Sequence, residues 1–238
     1  MLDAVRPAGM PELLWEIERD ALSRMMENWL EFERGRAAQG FLPLQFECSF
    51  GRFRPGDEGK GVRLQAGSHA FDFRGRLDRI DLSRDKYRAR VIDYKTGMLP
   101  KTMDRETKPL LMGGEKIQIA LYRGALSLLD GFLDVESVEG EYLHLQPRDG
   151  RIKPCSFSDE ELEEAYEKLP AVLEVIGNGL TSGVFFARTG GSVFPGGHCE
   201  YCDFLPVCGK DRLQREEYKA NDPAVTRFRE ILEIDEAT

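Results

Sequence analysis

Val91-Ile92-Asp93-Tyr94-Lys95-Thr96-Gly97 carries a D-x-K motif at the end of an apolar run. Gly75-Arg76-Leu77-Asp78-Arg79-Ile80-Asp81 sets a second acid, Asp78, fifteen residues before Asp93. Side chains alternate along a strand, so Asp93 and Lys95 project from one face. Tyr94 then points the other way and leaves its backbone carbonyl near that face. Residues 70–82 alternate apolar and polar, 83–86 read as a turn, and 87–95 return as a second strand. An antiparallel hairpin about that turn brings Asp78 beside Asp93 at its open end. Two carboxylates and a lysine on neighbouring strands are what metal-dependent phosphodiester hydrolysis needs. The acids hold a divalent cation that bears developing charge, and the lysine orients or activates water. A D-x-K on a strand is by itself more often a solvated ion pair, so the surrounding residues decide.

One of those surroundings is the helical segment from Glu115 to Leu129, which contains Gln118-Ile119-Ala120-Leu121-Tyr122. Gln118 and Tyr122 stand four apart and share a helix face, so both polar tips can point at one place. The motifs GRLDRID, VIDYKTG and QIALY, in that order and spacing, resemble the RecB-like branch of the PD-(D/E)XK nuclease superfamily. The resemblance runs from about residue 44 to about residue 210. It implies an α/β fold, a restriction-endonuclease-like core with a central mixed β-sheet flanked by helices. It implies Mg²⁺ or Mn²⁺ bound by Asp78, Asp93 and the Tyr94 carbonyl, with Lys95 catalytic and Gln118 and Tyr122 supporting the site and DNA. Glu47, in the first strand expected at 43–50, reads either as an extra active-site acid, as the resemblance suggests, or as an exposed strand glutamate.

Cys199-Glu-Tyr-Cys202-Asp-Phe-Leu-Pro-Val-Cys208 is C-x2-C-x5-C, preceded by Gly196-Gly197-His198. Closely spaced thiols in an intracellular protein are more often metal ligands than disulfides. Zinc is one candidate, with His198 or a distant cysteine as fourth ligand. The resemblance to AddB-type nucleases implies instead a four-iron, four-sulfur cluster whose fourth cysteine lies upstream of the core. The chain departs from that pattern. Its only earlier cysteines are Cys48, in the first strand, and Cys155, in an expected Pro-containing connection. The histidine that the resemblance places on a helix before the first strand is also missing, since His69, His144 and His198 all follow the opening helix. Both absences are explained if the chain is the C-terminal piece of a longer protein. Glu12, Glu16 or Glu18 could stand in for the histidine.

The sequence has 238 residues, is 41% hydrophobic and has a net charge of −9. That length suits one large domain or a domain with appendages, and no run reaches the length of a membrane span. The expected division is a helical entrance over 1–40, the core over 41–195 and a cysteine segment with tail over 196–238. The start lacks a basic segment followed by an apolar one, so a cytoplasmic location is expected. A negative chain is a poor polyanion binder on average. The basic residues gather in 52–108, however, and the acids in 157–175 and 228–236.

Around this core the pattern predicts a helix from Pro11 to about Ala38 ended by Gly40. A stripe including Leu14, Ile17, Ala21, Met25, Met26, Trp29 and Leu30 would form its core face. Further strands are expected at 62–65 and 139–146. A helix over 159–176 is expected to be capped by Ser158 with Glu161 as its capping-box partner. The long segment 98–114 is a candidate lining of a DNA path. The functional expectation is a metal-dependent DNA exonuclease domain of a helicase–nuclease acting in break repair, with DNA ends and a helicase domain or subunit as partners. Two other readings stand beside it: a noncatalytic DNA-binding or scaffolding module that retains the fold, and a metal-cluster structural protein with an incidental acidic motif.

Overall fold

Leu77, Ile80, Ala89, Val91 and Ile92 are fully buried, and they explain why the alternating segments on either side of Ser83 form the middle of a sheet. In the computed structural model, residues 6–51, 61–96, 110–111, 114, 116–146, 150–185, 199 and 202–236 are described. Within them lie two bodies, one drawn from residues 1–63 and 72–167, the other from 64–71 and 168–238.

The first body opens with helix α1 (Glu12–Ala38) and strand β1 (Phe41–Phe50). Gly40, at φ 93°, makes the left-handed turn between them that a residue with a Cβ resists. β4 (Gly75–Ser83) and β5 (Arg88–Lys95) are the predicted hairpin. The expected single strand over 70–82 is broken at Arg74, and its first part, β3 (His69–Phe73), pairs with β2 (Val62–Ala66) in a separate two-stranded sheet. Helix α2 spans Gln118–Leu126, shorter at both ends than the expected 115–129. Strands β6 (Ser137–Gln146) and β7 (Arg151–Phe157) complete a five-stranded sheet in the order β1-β4-β5-β6-β7. Only β5 and β6 run parallel, as the crossover through α2 requires. The result is the mixed sheet flanked by helices that was expected.

β7 corrects the reading of Cys155 as part of a connection: Cys155 pairs with Tyr142 across β6 and is buried. Pro154 concealed this strand, yet β7 is an edge strand of the sheet, where the missing N–H costs nothing.

The two faces of the sheet have different chemistry. On one, Gly140 of β6 lets α2 approach: a Cβ there would lie 2.4 Å from Ile119 Cγ2 and 3.0 Å from Leu162 Cδ1. Helix α3 (Asp159–Ser182) begins here, with Ser158 and Glu161 making the reciprocal capping box: Ser158 N–H donates to Glu161 Oε2 at 2.7 Å and Glu161 N–H to Ser158 Oγ at 3.3 Å.

The opposite face, covered by α1, is ionic. Arg79 is 1% exposed and donates to Asp81 at 2.5 and 2.8 Å and to both oxygens of Glu33 at 2.8 and 2.7 Å. Arg36, also buried, bonds Glu141 and lies 3.8 Å from Asp81. Burial opposes the Arg79 charge, but bonds to Glu33, Asp81 and Tyr94 outweigh it and raise its pKa. The expected apolar stripe of α1 is thus corrected. Trp15, Ala21, Met25 and Arg36 are buried, whereas Leu14, Ile17, Met26 and Leu30 are about half exposed. The helix turns charge toward the sheet because the sheet face is itself charged.

In the second body, His69 Nε2 lies 2.9 Å from Asn178 Oδ1 in the later turns of α3. The short helices α4 (Leu205–Cys208) and α5 (Arg212–Tyr218) precede α6 (Pro223–Glu236), which buries Val225 and Ile231. None of these three was expected from periodicity.

Replacing Arg79 by Met leaves Asp81 fully buried with only Arg36, at 3.8 Å, to balance it. The variant is expected to lose about 3–5 kcal/mol of stability, read as a lowered midpoint in urea unfolding. A loss below 1 kcal/mol would show that the network is not stabilising the α1 face.

Candidate active site

β4 and β5 pair with Arg79 facing Ile92, Ile80 facing Val91, Asp81 facing Arg90 and Leu82 facing Ala89. Continuing that register by one step sets Asp78 against Asp93. There a side-chain bond takes over from the strand ladder: the Tyr94 N–H donates to Asp78 Oδ2 at 2.9 Å. The bond holds the Asp78 carboxylate against the backbone of the D-x-K segment and leaves its other oxygen free of that duty.

Asp93 is 2% exposed. Its Oδ2 lies 2.5 Å from Lys95 Nζ, yet among the described residues it accepts no hydrogen bond of good geometry. Burial pushes the Asp93 carboxyl up from its usual range, Lys95 opposes the shift, and the nearby Asp78 charge adds to it. Two carboxylates held this close favour a cation between them.

Lys95 is aimed by a chain of hydrogen bonds whose direction is forced by chemistry. The ammonium can only donate, and it reaches Gln118 Oε1 at 3.1 Å. The Gln118 amide nitrogen then donates to the Tyr122 hydroxyl oxygen at 2.6 Å, and the Tyr122 O–H donates to the Arg76 carbonyl at 2.7 Å. Burial raises the Tyr122 pKa, so the phenol keeps the proton this last bond uses. The chain therefore ties Lys95 of β5, through one face of α2, to the backbone of β4 two residues before Asp78. Tyr94 points to the other face, as its place in the strand predicts, and its hydroxyl accepts from Arg79 Nη1 at 3.0 Å.

The structure thus brings Asp78, Asp93, Lys95, Gln118 and Tyr122 together. Glu47 lies between the β1–β4 pairs Phe46–Arg79 and Cys48–Leu77 at φ 53°. Its carboxylate is 61% exposed and pairs with Arg76 Nε at 2.9 Å. Glu12, Glu16 and Glu18 are exposed in the first turns of α1. The α1 glutamate that reaches the sheet is Glu33, on the face opposite Asp93. Of the basic residues in 52–108, Arg79 is buried, Arg90 pairs with Glu139 and Arg63 with Asp72. Arg52, Arg54, Lys60, Lys101, Arg105 and Lys108, with most of segment 98–114, lie outside the described residues.

Cys199, Cys202 and Cys208 are partly exposed and form no disulfide, and Cys202 N–H lies 3.5 Å from the Cys199 carbonyl. Among the described residues, no three His, Cys, Asp or Glu side chains gather closely enough to hold a metal ion. Cys48 and Cys155 belong to the other body, and His198 lies outside the described residues. The hard oxygens of Asp78 and Asp93, one of them buried without a hydrogen bond, do fit a divalent cation with the Tyr94 carbonyl as a further donor.

One partner of this site escaped the sequence reading. His144 of β6 neighbours Lys95 in the parallel pairing. The signal was available, because Tyr142 and His144 alternate in step with Asp93 and Lys95, but the strand connection that aligns them runs through α2.

No helix of the described residues is long and apolar enough to cross a membrane. No curated protein matches the chain. Among solved structures it is similar to one titled "Crystal structure of SSO0001", at 17% identity over 77% of this chain and 67% of that one. The TM-score is 0.38, too low to carry any argument. A sequence model of the PD-(D/E)XK nuclease superfamily matches residues 2–209. With its acids, lysine and Gln/Tyr helix brought to one face of a mixed sheet, the chain belongs to the PD-(D/E)XK nuclease superfamily.

Proposed function

We propose that the chain is a DNA nuclease that hydrolyses phosphodiester bonds with Mg²⁺ or Mn²⁺ held by Asp78, Asp93 and the Tyr94 carbonyl. The observation that carries this is the buried Asp93 carboxylate, paired with Lys95 and set against an Asp78 that the Tyr94 amide holds in place. A hard cation there supplies positive charge for the oxygens on which negative charge develops. Lys95 holds the attacking water or its departing proton, and the Gln118–Tyr122 chain keeps the ammonium pointed at that water.

The order and spacing of GRLDRID, VIDYKTG and QIALY support the finer reading. In that reading residues 41–195 are a RecB-like exonuclease core between the helical entrance and the cysteine segment. The core works beside a helicase domain or subunit in processing broken DNA, in the cytoplasm. The noncatalytic alternative has less support, because a silent fold gains nothing from a buried carboxylate held charged beside another.

Cleavage of end-labelled linear DNA, single- and double-stranded, with a covalently closed circle as control, tests both levels. Expected are cleavage of the linear forms only with Mg²⁺ or Mn²⁺ and a loss of at least about a hundredfold in Asp93→Asn. Cleavage of the circle would refute the exonuclease reading, and no cleavage of any substrate would favour the noncatalytic module.

The same variant is expected to be more stable than the parent without metal. Folding raises the Asp93 pKa above its unfolded value of 3.8. The folded state therefore binds more protons between the two values, and stability falls as pH rises through that interval. Asn removes this cost, so Asp93→Asn should melt higher than the parent at pH 7 in a chelator. The difference should shrink as pH falls through that interval and be gone below about 4. A lower melting temperature at pH 7 would show that Asp93 is instead stabilised as a structural ion pair with Lys95.

A further inference from the structure

Lys95 has more around it than Asp93 and Gln118. Its Nζ stands over the ring of Tyr142, 5.4 Å from the ring centre. Tyr142 pairs with Asp93 in the parallel register of β5 and β6, so strand geometry sets its side chain on the sheet face that carries Asp93 and Lys95. The ring is held in place. Tyr142 is 1% exposed, and its ring meets that of Phe157, the last residue of β7, edge to face with centres 6.0 Å apart and planes at 89°. Aromatic pairs favour this geometry. A buried ring packed in this way keeps one rotamer, so it offers Lys95 a fixed surface.

An ammonium within about 6 Å of an aromatic ring centre is drawn to the negative face of the π system, more strongly where water is kept away. The attraction suits this site because of what it leaves untouched. A lysine has three N–H donors; Gln118 takes one, and Asp93 faces the ammonium as an ion pair. A further oxygen partner would occupy another donor and, as a carboxylate, would add negative charge beside Asp78 and Asp93. The ring pulls on the charge without either effect, so a donor stays open to water. The same ring centre lies 5.9 Å from Lys116 Nζ.

We propose that Tyr142 is a positioning residue for hydrolysis, whose π face, braced by Phe157, holds the Lys95 ammonium aimed at the attacking water. The proposal rests on the nuclease reading for the step that Lys95 serves, while the hold of the ring on the ammonium is a claim about the folded chain alone. Lys95 is then fixed from three elements: its own strand β5, the Gln118–Tyr122 chain of α2, and β6.

The test keeps the shape of the ring and varies its charge distribution. Phenylalanine and its mono-, di- and trifluorinated forms are placed at position 142, since each fluorine draws electron density from the face and weakens its pull on a cation. With linear DNA and Mg²⁺, kcat should fall stepwise along the series, by about tenfold from phenylalanine to the trifluorinated ring, while KM for DNA changes less than about twofold. A side chain that only fills space gives a flat series. The fall should persist in Lys116→Ala; if it vanishes there, the ring acts through Lys116 and the proposal is overturned. The second readout needs neither metal nor DNA. The NMR order parameter of the Lys95 ammonium, assigned by its loss in Lys95→Gln, should match the parent with phenylalanine at 142 and drop with the trifluorinated ring. An unchanged order parameter, or a flat kcat series in a protein that cleaves, overturns the proposal. A drop in a protein that cleaves nothing means that the ring's hold on Lys95 stands and the nuclease reading fails.

Discussion

The hydrogen bond from the Tyr94 amide to the Asp78 carboxylate is the constraint on which the site depends. The β4–β5 pairing ends at Arg79 and Ile92, one step before the two acids. Without a tie there, two acids with like charge would spread apart. The amide of the residue between Asp93 and Lys95 supplies that tie. It fixes one acid to the backbone that carries the other, and the register of the hairpin follows down to the turn at residues 84–87.

The sheet separates two kinds of electrostatics. On the α2 face, Asp93 is buried with incomplete bonding and a raised pKa, a local cost that a cation would relieve. On the α1 face, Arg79, Asp81, Glu33, Arg36 and Glu141 are linked by hydrogen bonds and ion pairs, with Arg36 Nη1 left without a hydrogen bond among the described residues. Arg79 joins the two, because it bonds Tyr94, whose amide serves Asp78. The ion-paired face thereby braces the strained one through a single residue whose side chain and backbone work on opposite sides of β5. Such a division, with stability in one layer and an unrelieved charge in the other, is what a site must have if binding a metal is to be favourable.

The α2 face of this arrangement was legible in the sequence because it obeys short-range rules. Asp93 and Lys95 share a face by strand alternation, Gln118 and Tyr122 by helical spacing, and Asp78 meets Asp93 by counting outward from one turn. The capping box at Ser158 is equally local. The remainder is not local. Glu33, Arg36, Arg79 and Asp81 sit in a charged pattern that looks like solvated surface, and only the approach of α1 to the sheet buries them. The apolar stripe of α1 misled for the same reason. β7 was hidden by Pro154, which argues against a strand unless the strand is known to be an edge. His144 became visible only when the crossover through α2 placed β6 in step with β5.

The central claim is that Asp78 and Asp93 share a divalent cation. An anomalous difference map from crystals of the protein soaked in Mn²⁺ tests it most directly. The account predicts one strong peak between the two carboxylates and beside the Tyr94 carbonyl, absent from crystals of Asp78→Ala. Crystals of the unaltered protein that show no peak there, or show Mn²⁺ only at Glu47 or elsewhere, would contradict it.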